Sequence, residues 1–292
     1  MVVSQPDRPR GRGRQVSPSP VAERALAAGV PLLRPERVGD PEVEAALRAH
    51  APDLGVVVAF GQFLPRRVRE APRLGYCVNA HASLLPRLRG AAPIPRAILS
   101  GERETGISVM RVEREMDAGP VALRRPTPIG PDETGGELEA RLAVLAADAI
   151  AAALEEIAAG RVCWTPQDPA AASFAPKLER EEARLDPAEA AEALVRRVRA
   201  FAPRPGAFVV VSGEALRILA AHAEPGPCDL PAGTLRSGGT RALRIATREG
   251  WLVPDVLQRP GGRPLPAAEF QRGHPLENGA RIEAPAPATL RA

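Results

Sequence analysis

The sequence has 292 residues, of which 45% are apolar and 25% charged, and it can therefore form two globular domains with cores of their own. Its net charge of +4 permits a nucleic-acid partner without requiring one. The three cysteines (Cys77, Cys163 and Cys228) lie far apart without a C-x-x-C pair, which argues against disulfides and against a metal site. Reduced cysteines are typical of a cytoplasmic protein. No apolar run reaches the ~20 residues that cross a membrane.

Helices and strands alternate in the first half of the chain, after a Pro-, Gly- and Arg-rich loop at residues 4–19. Asp40 is a plausible N-cap, and the run at 54–60 is apolar throughout, as in a strand buried on both faces. This alternation predicts an α/β domain with a mostly parallel sheet over residues 1–164. Its predicted helices are 20–29, 40–50, 93–99 and 136–159, and its predicted strands are 54–60, 75–80 and 106–112.

The pattern changes in the second half of the chain. Residues 165–183 are polar and charged, which is typical of a linker. A helix is predicted at 187–201, and short strand-like runs separated by Gly- and Pro-rich turns then predict a small β-barrel or sandwich over residues 184–292. The predicted strands are 207–212, 215–221, 243–247 and 252–257.

Asn79 and His81 lie two positions apart at the end of a predicted strand, so their side chains point in the same direction. Ligands of open α/β sheets bind beyond the carboxyl ends of the strands, where this pair lies. An amide and an imidazole can donate hydrogen bonds to an oxyanion that develops during acyl transfer. By themselves they would more often be polar residues that cap a strand end.

Asp117 lies in a turn directly after the predicted strand 106–112. A carboxylate there can hold the His81 imidazole and order a water molecule for proton transfer. The alternative is a turn residue stabilised by its own Asx hydrogen bond.

A family resemblance connects these residues. The run at 79–86, the Arg-Leu-Arg-Gly segment after it and Asp117 in Met-Asp-Ala-Gly resemble the active site of the folate-dependent formyltransferases. Along almost its whole length the chain is similar to the methionyl-tRNA formyltransferase family. The resemblance implies a Rossmann-like formyltransferase domain followed by an OB-like β-barrel that contacts tRNA. It also implies that Asn79, His81 and Asp117 form the catalytic trio.

The family's folate-binding loop falls on a short apolar segment of this chain, and its co-substrate is 10-formyltetrahydrofolate. For the two leucines of that segment, simple core packing is the alternative. The resemblance assigns folate binding to Ser83, Leu84, Leu85 and Pro86.

Four arginines and a single acid, Asp7, occur within the first fourteen residues. The segment resembles the family's insertion loop, which engages the acceptor stem of initiator Met-tRNA. Arginines neutralise phosphates, and glycines let a loop approach nucleic acid closely. A disordered basic tail is the alternative. The predicted tRNA-binding residues are Arg8, Arg10, Arg12 and Arg14.

The resemblance implies a monomeric cytoplasmic enzyme without a metal or a membrane partner. Family members begin with one more strand and helix than this sequence, and we therefore expect a start codon upstream of Met1. Two other functions remain open. One is a formyltransferase acting on an amino-sugar nucleotide, and the other is an inactive tRNA- or folate-binding remnant.

Overall fold

A computed structural model describes residues 1–10, 15–238 and 241–283. Strands and helices alternate from Gln15 to Arg111, a further strand and a long helix that ends at Ala158 follow, and strands predominate after it. In chain order the elements of the first part are β1 (Val2–Val3), β2 (Arg8–Arg10), β3 (Gln15–Ser17), α1 (Pro20–Ala27), β4 (Leu32–Leu33), α2 (Pro41–His50), β5 (Gly55–Val57), α3 (Arg66–Arg69), β6 (Cys77–His81), α4 (Pro93–Leu99), β7 (Glu104–Arg111), β8 (Val121–Pro128) and α5 (Gly135–Ala158).

Two short 3₁₀ helices follow α5, and the remaining elements include six strands. In chain order these are the 3₁₀ helices Pro169–Ala171 and Arg180–Ala183, then α6 (Ala191–Phe201), β9 (Ala207–Val211), β10 (Glu214–Glu224), β11 (Leu235–Gly238), β12 (Arg241–Ala246), β13 (Trp251–Gln258), β14 (Leu265–Pro266) and α7 (Ala267–Gly273).

The chain forms two compact units, each assembled from separate stretches. The first comprises Met1–Arg89, Ile107–Arg125 and Ala146–Ala172. The second comprises Gly90–Gly106, Pro126–Leu145 and the chain from Ser173 onwards. The domain boundaries inferred from the sequence, at residues 164 and 184, stay a prediction.

The sheet that carries Asn79 has the strand order β5-β6-β7-β8. β6 runs parallel to β5 and antiparallel to β7, and a separate parallel pair joins β1 to β4. Valine, isoleucine and methionine side chains of β6 and β7 are buried, because β-branched and other apolar residues suit a covered pleated surface. The fold class inferred from the sequence, an α/β Rossmann-like domain, is confirmed.

Several local expectations differ from the structure. The run at 54–60 forms only the three-residue β5, because Ala59 adopts a left-handed backbone with φ +45°. The expectation that this strand is buried on both faces is wrong, because Val56 is 45% exposed and Val58 is 52% exposed. Both are exposed since β5 lies at the end of the strand order. Asp40 does precede α2, but its side chain makes no capping hydrogen bond.

The second unit contains an antiparallel sheet of order β11-β12-β13-β10-β9, with β14 paired to β13. Helix α6 packs on β10 through its buried apolar side chains. Residues 280–283 then reach both ends of the strand order, because Ile282 pairs with Val211 of β9 and Arg281 pairs with Thr234. The sheet therefore curls as the predicted OB-like barrel requires.

The core under α6 gives the first testable expectation. Phe201 is fully buried at the end of this helix, so Phe201→Ala should lower the free energy of unfolding by about 3–5 kcal/mol. Phe174→Ala is the matched control, because Phe174 is 70% exposed, and it should stay within about 0.5 kcal/mol of the parent. Urea denaturation measures both. Equal losses in the two variants would contradict the buried position of Phe201.

Candidate active site

The end of β6 presents two of the predicted catalytic side chains. Asn79 is half-buried and His81 is 6% exposed. In the antiparallel pairing with β7, Asn79 lies opposite Met110 and His81 opposite Ser108. Because residues two apart on a strand share a face, the amide and the imidazole occupy the same side of the sheet.

Two oxygen atoms contact the His81 ring, one at each nitrogen. The carbonyl oxygen of Leu88 lies 2.9 Å from Nε2, and a carboxylate oxygen of Asp117 lies 3.5 Å from Nδ1. Asp117 is nearly buried as well, with 14% of its side chain exposed. The structure thus brings together His81 and Asp117, which are distant in sequence, in a partly enclosed environment.

Asp117 lies in a tight turn after β7 whose backbone leaves little freedom. It adopts a left-handed conformation with φ +52°, which aspartate tolerates better than most residues. Two residues later, a Cβ atom on Gly119 would lie 2.0 Å from the carbonyl oxygen of Arg111. Only glycine fits at this close approach of the turn to the end of β7.

Hydrogen bonds to neighbouring strands hold the predicted folate-binding loop. The buried Ser108 hydroxyl accepts a hydrogen bond from the Leu85 amide at 3.0 Å and donates one to the Ser83 carbonyl at 2.7 Å. Arg124 donates from Nε to the Leu85 carbonyl at 2.8 Å. Within the loop, the Ser83 hydroxyl donates to the Arg87 carbonyl at 2.6 Å.

The side chains of this loop divide into two groups. Leu85 is 1% exposed and packs with Met110 and Val121, as the core-packing alternative expects. Leu84 and Pro86 are only half-buried. Leu84 and Pro86, rather than Leu85, are therefore the apolar residues of this loop that a ligand can reach.

Gln167 is a site residue that the sequence analysis missed, because it falls in the predicted linker. Its side-chain amide contacts the backbone of the Asp117 turn, and its carbonyl oxygen contacts Arg89. No periodicity or motif marks this glutamine. The contact is visible only once the chain is folded.

Cys77 lies two residues before Asn79 but is unsuited to nucleophilic chemistry. Burial raises the pKa of its thiol to about 11, and the positive charge of Arg69 offsets this only in part. The thiol is therefore protonated at neutral pH, and a protonated thiol is a poor nucleophile. Within the described ranges, no group of three or more His, Cys, Asp or Glu side chains could hold a metal ion.

Two of the predicted tRNA-binding arginines, Arg8 and Arg10, fall on a strand of a hairpin that the sequence analysis treated as a loop. β2 and β3 pair with Arg8 opposite Ser17, and Arg8 is exposed. Arg10 belongs to β2, whereas Arg12 and Arg14 lie outside the described residues. The neighbouring Asp7 forms an ion pair with Arg34 at 2.6 Å.

Comparison with known proteins gives the family. The family model described as "Formyl transferase" matches residues 1–154, and "Formyl transferase, C-terminal domain" matches residues 177–275. The methionyl-tRNA formyltransferase of Halorhodospira halophila is 47% identical over 282 residues, which is 97% of this chain and 90% of that protein. The chain belongs to the methionyl-tRNA formyltransferase family.

Other methionyl-tRNA formyltransferases are similarly close. That of Xanthomonas campestris strain 8004 is 47% identical over 92% of this chain and 88% of its own length. That of Aromatoleum aromaticum is 44% identical over 98% of this chain and 90% of its own length. Membership of the family thus extends over both halves of the sequence.

Two solved structures share the fold at much lower identity. HypX from Aquifex aeolicus, in complex with tetrahydrofolic acid, has a TM-score of 0.61 at 23% identity. The match covers 84% of this chain but only 44% of HypX. An N-formyltransferase from Helicobacter canadensis has a TM-score of 0.61 at 12% identity and covers 84% of this chain and 86% of its own. No helix among the described residues of this family member is long and apolar enough to cross a membrane.

The bonds of the buried Ser108 give a prediction for loop stability. Ser108→Ala leaves the Leu85 amide and the Ser83 carbonyl without their buried partner, which should cost about 1–3 kcal/mol of unfolding free energy. Ser100→Ala replaces an exposed serine at the end of α4 and should stay within about 0.5 kcal/mol. Chemical denaturation compares the two. A Ser108 variant as stable as the parent would argue against this bridge.

Proposed function

We propose that the chain transfers the formyl group of 10-formyltetrahydrofolate to the α-amino group of methionine on initiator Met-tRNA. The observation that carries the proposal is the placement of the His81 imidazole between Asp117 and the Leu88 carbonyl, on the same strand as Asn79. Relatives that are 44–47% identical over nearly the whole chain bear the name of this activity.

The proposed reaction forms one C–N bond and breaks another. The amine nitrogen attacks the formyl carbon, and the carbonyl electrons move to the oxygen to give a tetrahedral oxyanion. When these electrons return, the bond from carbon to N10 of the folate breaks. The amine loses one proton and N10 gains one, so that formyl-methionine on tRNA and tetrahydrofolate leave the site.

Asn79 and His81 can stabilise the oxyanion. The Asn79 amide offers N–H donors. The imidazole lies on the same face of β6 and would supply a further donor by exchanging its contact with the Leu88 carbonyl or with Asp117 for the oxyanion. Such donors act strongly in a partly buried site, where water competes little and the donors need not reorganise.

Asp117 and His81 can handle the protons. The carboxylate lies on the Nδ1 side of the ring, where it can accept a proton directly or order a water molecule that does so. The loop at residues 83–86, held through Ser108 and Arg124, would bind the folate beside them.

Initiator Met-tRNA is the acceptor that the sequence favours over an amino-sugar nucleotide. The Asp7–Arg34 ion pair neutralises the one acid beside the arginines of the hairpin and leaves Arg8 exposed. A basic hairpin suits a phosphate backbone, whereas a sugar nucleotide presents no acceptor stem. We further propose that the enzyme acts as a cytoplasmic monomer.

The first functional test removes the catalytic side chains. Loss of an oxyanion donor in Asn79→Ala should lower kcat by about 10²–10³-fold. Loss of the acid–base pair in His81→Ala or Asp117→Ala should lower it by about 10²–10⁴-fold. The assay is formylation of initiator Met-tRNA with 10-formyltetrahydrofolate. The control is His50→Ala, at the exposed end of α2, which should retain the kcat of the parent.

A parent chain that folds but does not formylate initiator Met-tRNA would overturn the proposed function. Binding of tRNA without turnover would instead identify an inactive remnant. Full activity in His81→Ala would remove the imidazole from the mechanism.

The second test concerns tRNA binding. Replacing Arg8, Arg10, Arg12 and Arg14 together with glutamine should raise the Kd for initiator Met-tRNA and leave kcat at saturating tRNA within about two-fold, because phosphate contacts act on binding. The slope of log Kd against log salt should fall by about one for each arginine–phosphate interaction that the substitutions remove.

The matched control for this test is Arg161→Gln, because Arg161 is an exposed arginine paired with Glu156 just after α5. Its affinity and salt slope should equal those of the parent. If the fourfold variant binds tRNA with an unchanged salt slope, these four arginines are not the tRNA contact.

A further inference from the structure

Gln167 makes hydrogen bonds with every polar group of its side chain. Its Nε2 donates to the carbonyl oxygens of Asp117 at 2.7 Å and Gly119 at 2.8 Å. Its Oε1 accepts from Nε and Nη2 of Arg89 at 3.0 and 2.8 Å. Both Gln167 and Arg89 are buried, with 9% and 5% of their surface exposed. A primary amide supplies these two donors and one acceptor in a single side chain.

These bonds join the two segments that hold His81. Arg89 directly follows Leu88, whose carbonyl oxygen contacts Nε2 of His81. On the other side, Gln167 bonds to the backbone of Asp117 itself, whose carboxylate faces Nδ1. One side chain thus connects both neighbours of the imidazole, although it does not touch the ring.

The position of Gln167 is itself fixed by backbone pairing. Two residues earlier, Thr165 forms a bridge with Val121 at the start of β8, with hydrogen bonds of 2.8 and 2.9 Å in both directions. This bridge brings the segment against the turn that follows β7. The Gln167 side chain can therefore contact the backbone of residues 115–119, which we term the Asp117 loop.

The Asp117 loop needs such support. Asp117 has a positive φ, and such a backbone persists at a functional site only when its surroundings hold it. Within the loop, the Ala118 amide reaches the Glu115 carbonyl only at 3.4 Å. The two Gln167 hydrogen bonds are shorter and come from a buried, anchored side chain.

We propose that Gln167 is a positioning residue, which holds the Asp117 loop so that the Asp117 carboxylate faces His81. The inference rests on the proposed function for its kinetic consequence. It goes beyond that function because it adds a residue outside the catalytic trio and identifies an amide as the required group.

The choice of substitution follows from this chemistry. Gln167→Glu has nearly the same size and can pair with Arg89, but a carboxylate is an acceptor only and would face two carbonyl oxygens. Gln167→Met keeps the volume and removes all polar contacts. Glu156→Gln, at an exposed ion pair near the end of α5, is the matched control for the exchange of an amide and a carboxylate.

Kinetics provide the first measurement. Gln167→Glu should lower kcat for formylation of initiator Met-tRNA by about 10²-fold, because a shift of about 1 Å in a catalytic group has that effect. The KM values for 10-formyltetrahydrofolate and for tRNA should change by less than about three-fold, since their proposed contacts lie elsewhere. Glu156→Gln should retain the parent kcat.

A double-mutant cycle separates positioning from a general structural role. In an Asp117→Ala background, Gln167→Glu should change the residual kcat by less than about three-fold, because residues that act as a unit are not additive. A defect that is equally large in both backgrounds would overturn the proposal.

Hydrogen exchange provides a measurement that does not need activity. In Gln167→Glu and Gln167→Met, amide exchange in the peptide covering residues 112–121 should rise by at least about ten-fold, while α5 remains protected. Unchanged exchange in this peptide for both variants would overturn the proposal whatever the activity. A parent chain without formylation activity would refute the proposed function alone, and exchange would still decide the role of Gln167.

Discussion

The placement of the His81 imidazole between two oxygen atoms is the constraint on which the site depends. Nε2 faces the Leu88 carbonyl and Nδ1 faces the Asp117 carboxylate, so the ring orientation is set from both sides. In a buried environment these contacts are stronger than in water, and leaving either nitrogen without its partner would be costly. The three residues reside on β6, on the loop beyond it and on the turn after β7, and the sheet must therefore form before the site exists.

Helices with a strong local pattern were the most predictable part of the fold. The expected helix at 136–159 is observed as Gly135–Ala158, and the expected helix at 93–99 is observed as Pro93–Leu99. Both helices are predicted from the spacing of their apolar residues and from glycine or proline at their ends, which are local properties of the sequence. The hairpin of β2 and β3 and the strand β8 were missed, because pairing with a neighbouring strand rather than residue preference creates them. Apolar composition led to a wrong prediction of full burial at β5. This strand lies at the end of the strand order, and Val56 is therefore partly exposed.

The site shows the same division between local and distant information. Asn79 and His81 stand together in the sequence, and the family resemblance added Asp117, so the cluster was expected before the fold was known. The residues that support this cluster were not predicted from the sequence. Ser108, Arg124 and Gln167 act on loops far away in sequence, through one or two hydrogen bonds each to backbone atoms that no motif records.

The segment at residues 280–283 also has a consequence for how the chain is made. It pairs with Val211 on one strand and bonds to the carbonyl of Gly233 near another, so it joins both ends of the strand order. The side chain of Glu283 accepts a hydrogen bond from the amide of Gly213, which lies 70 residues earlier. A ribosome must therefore release almost the entire described chain before this sheet can close. Contacts of such long range form slowly, and until then the edges of β9 and β11 present unpaired backbone to other nascent chains.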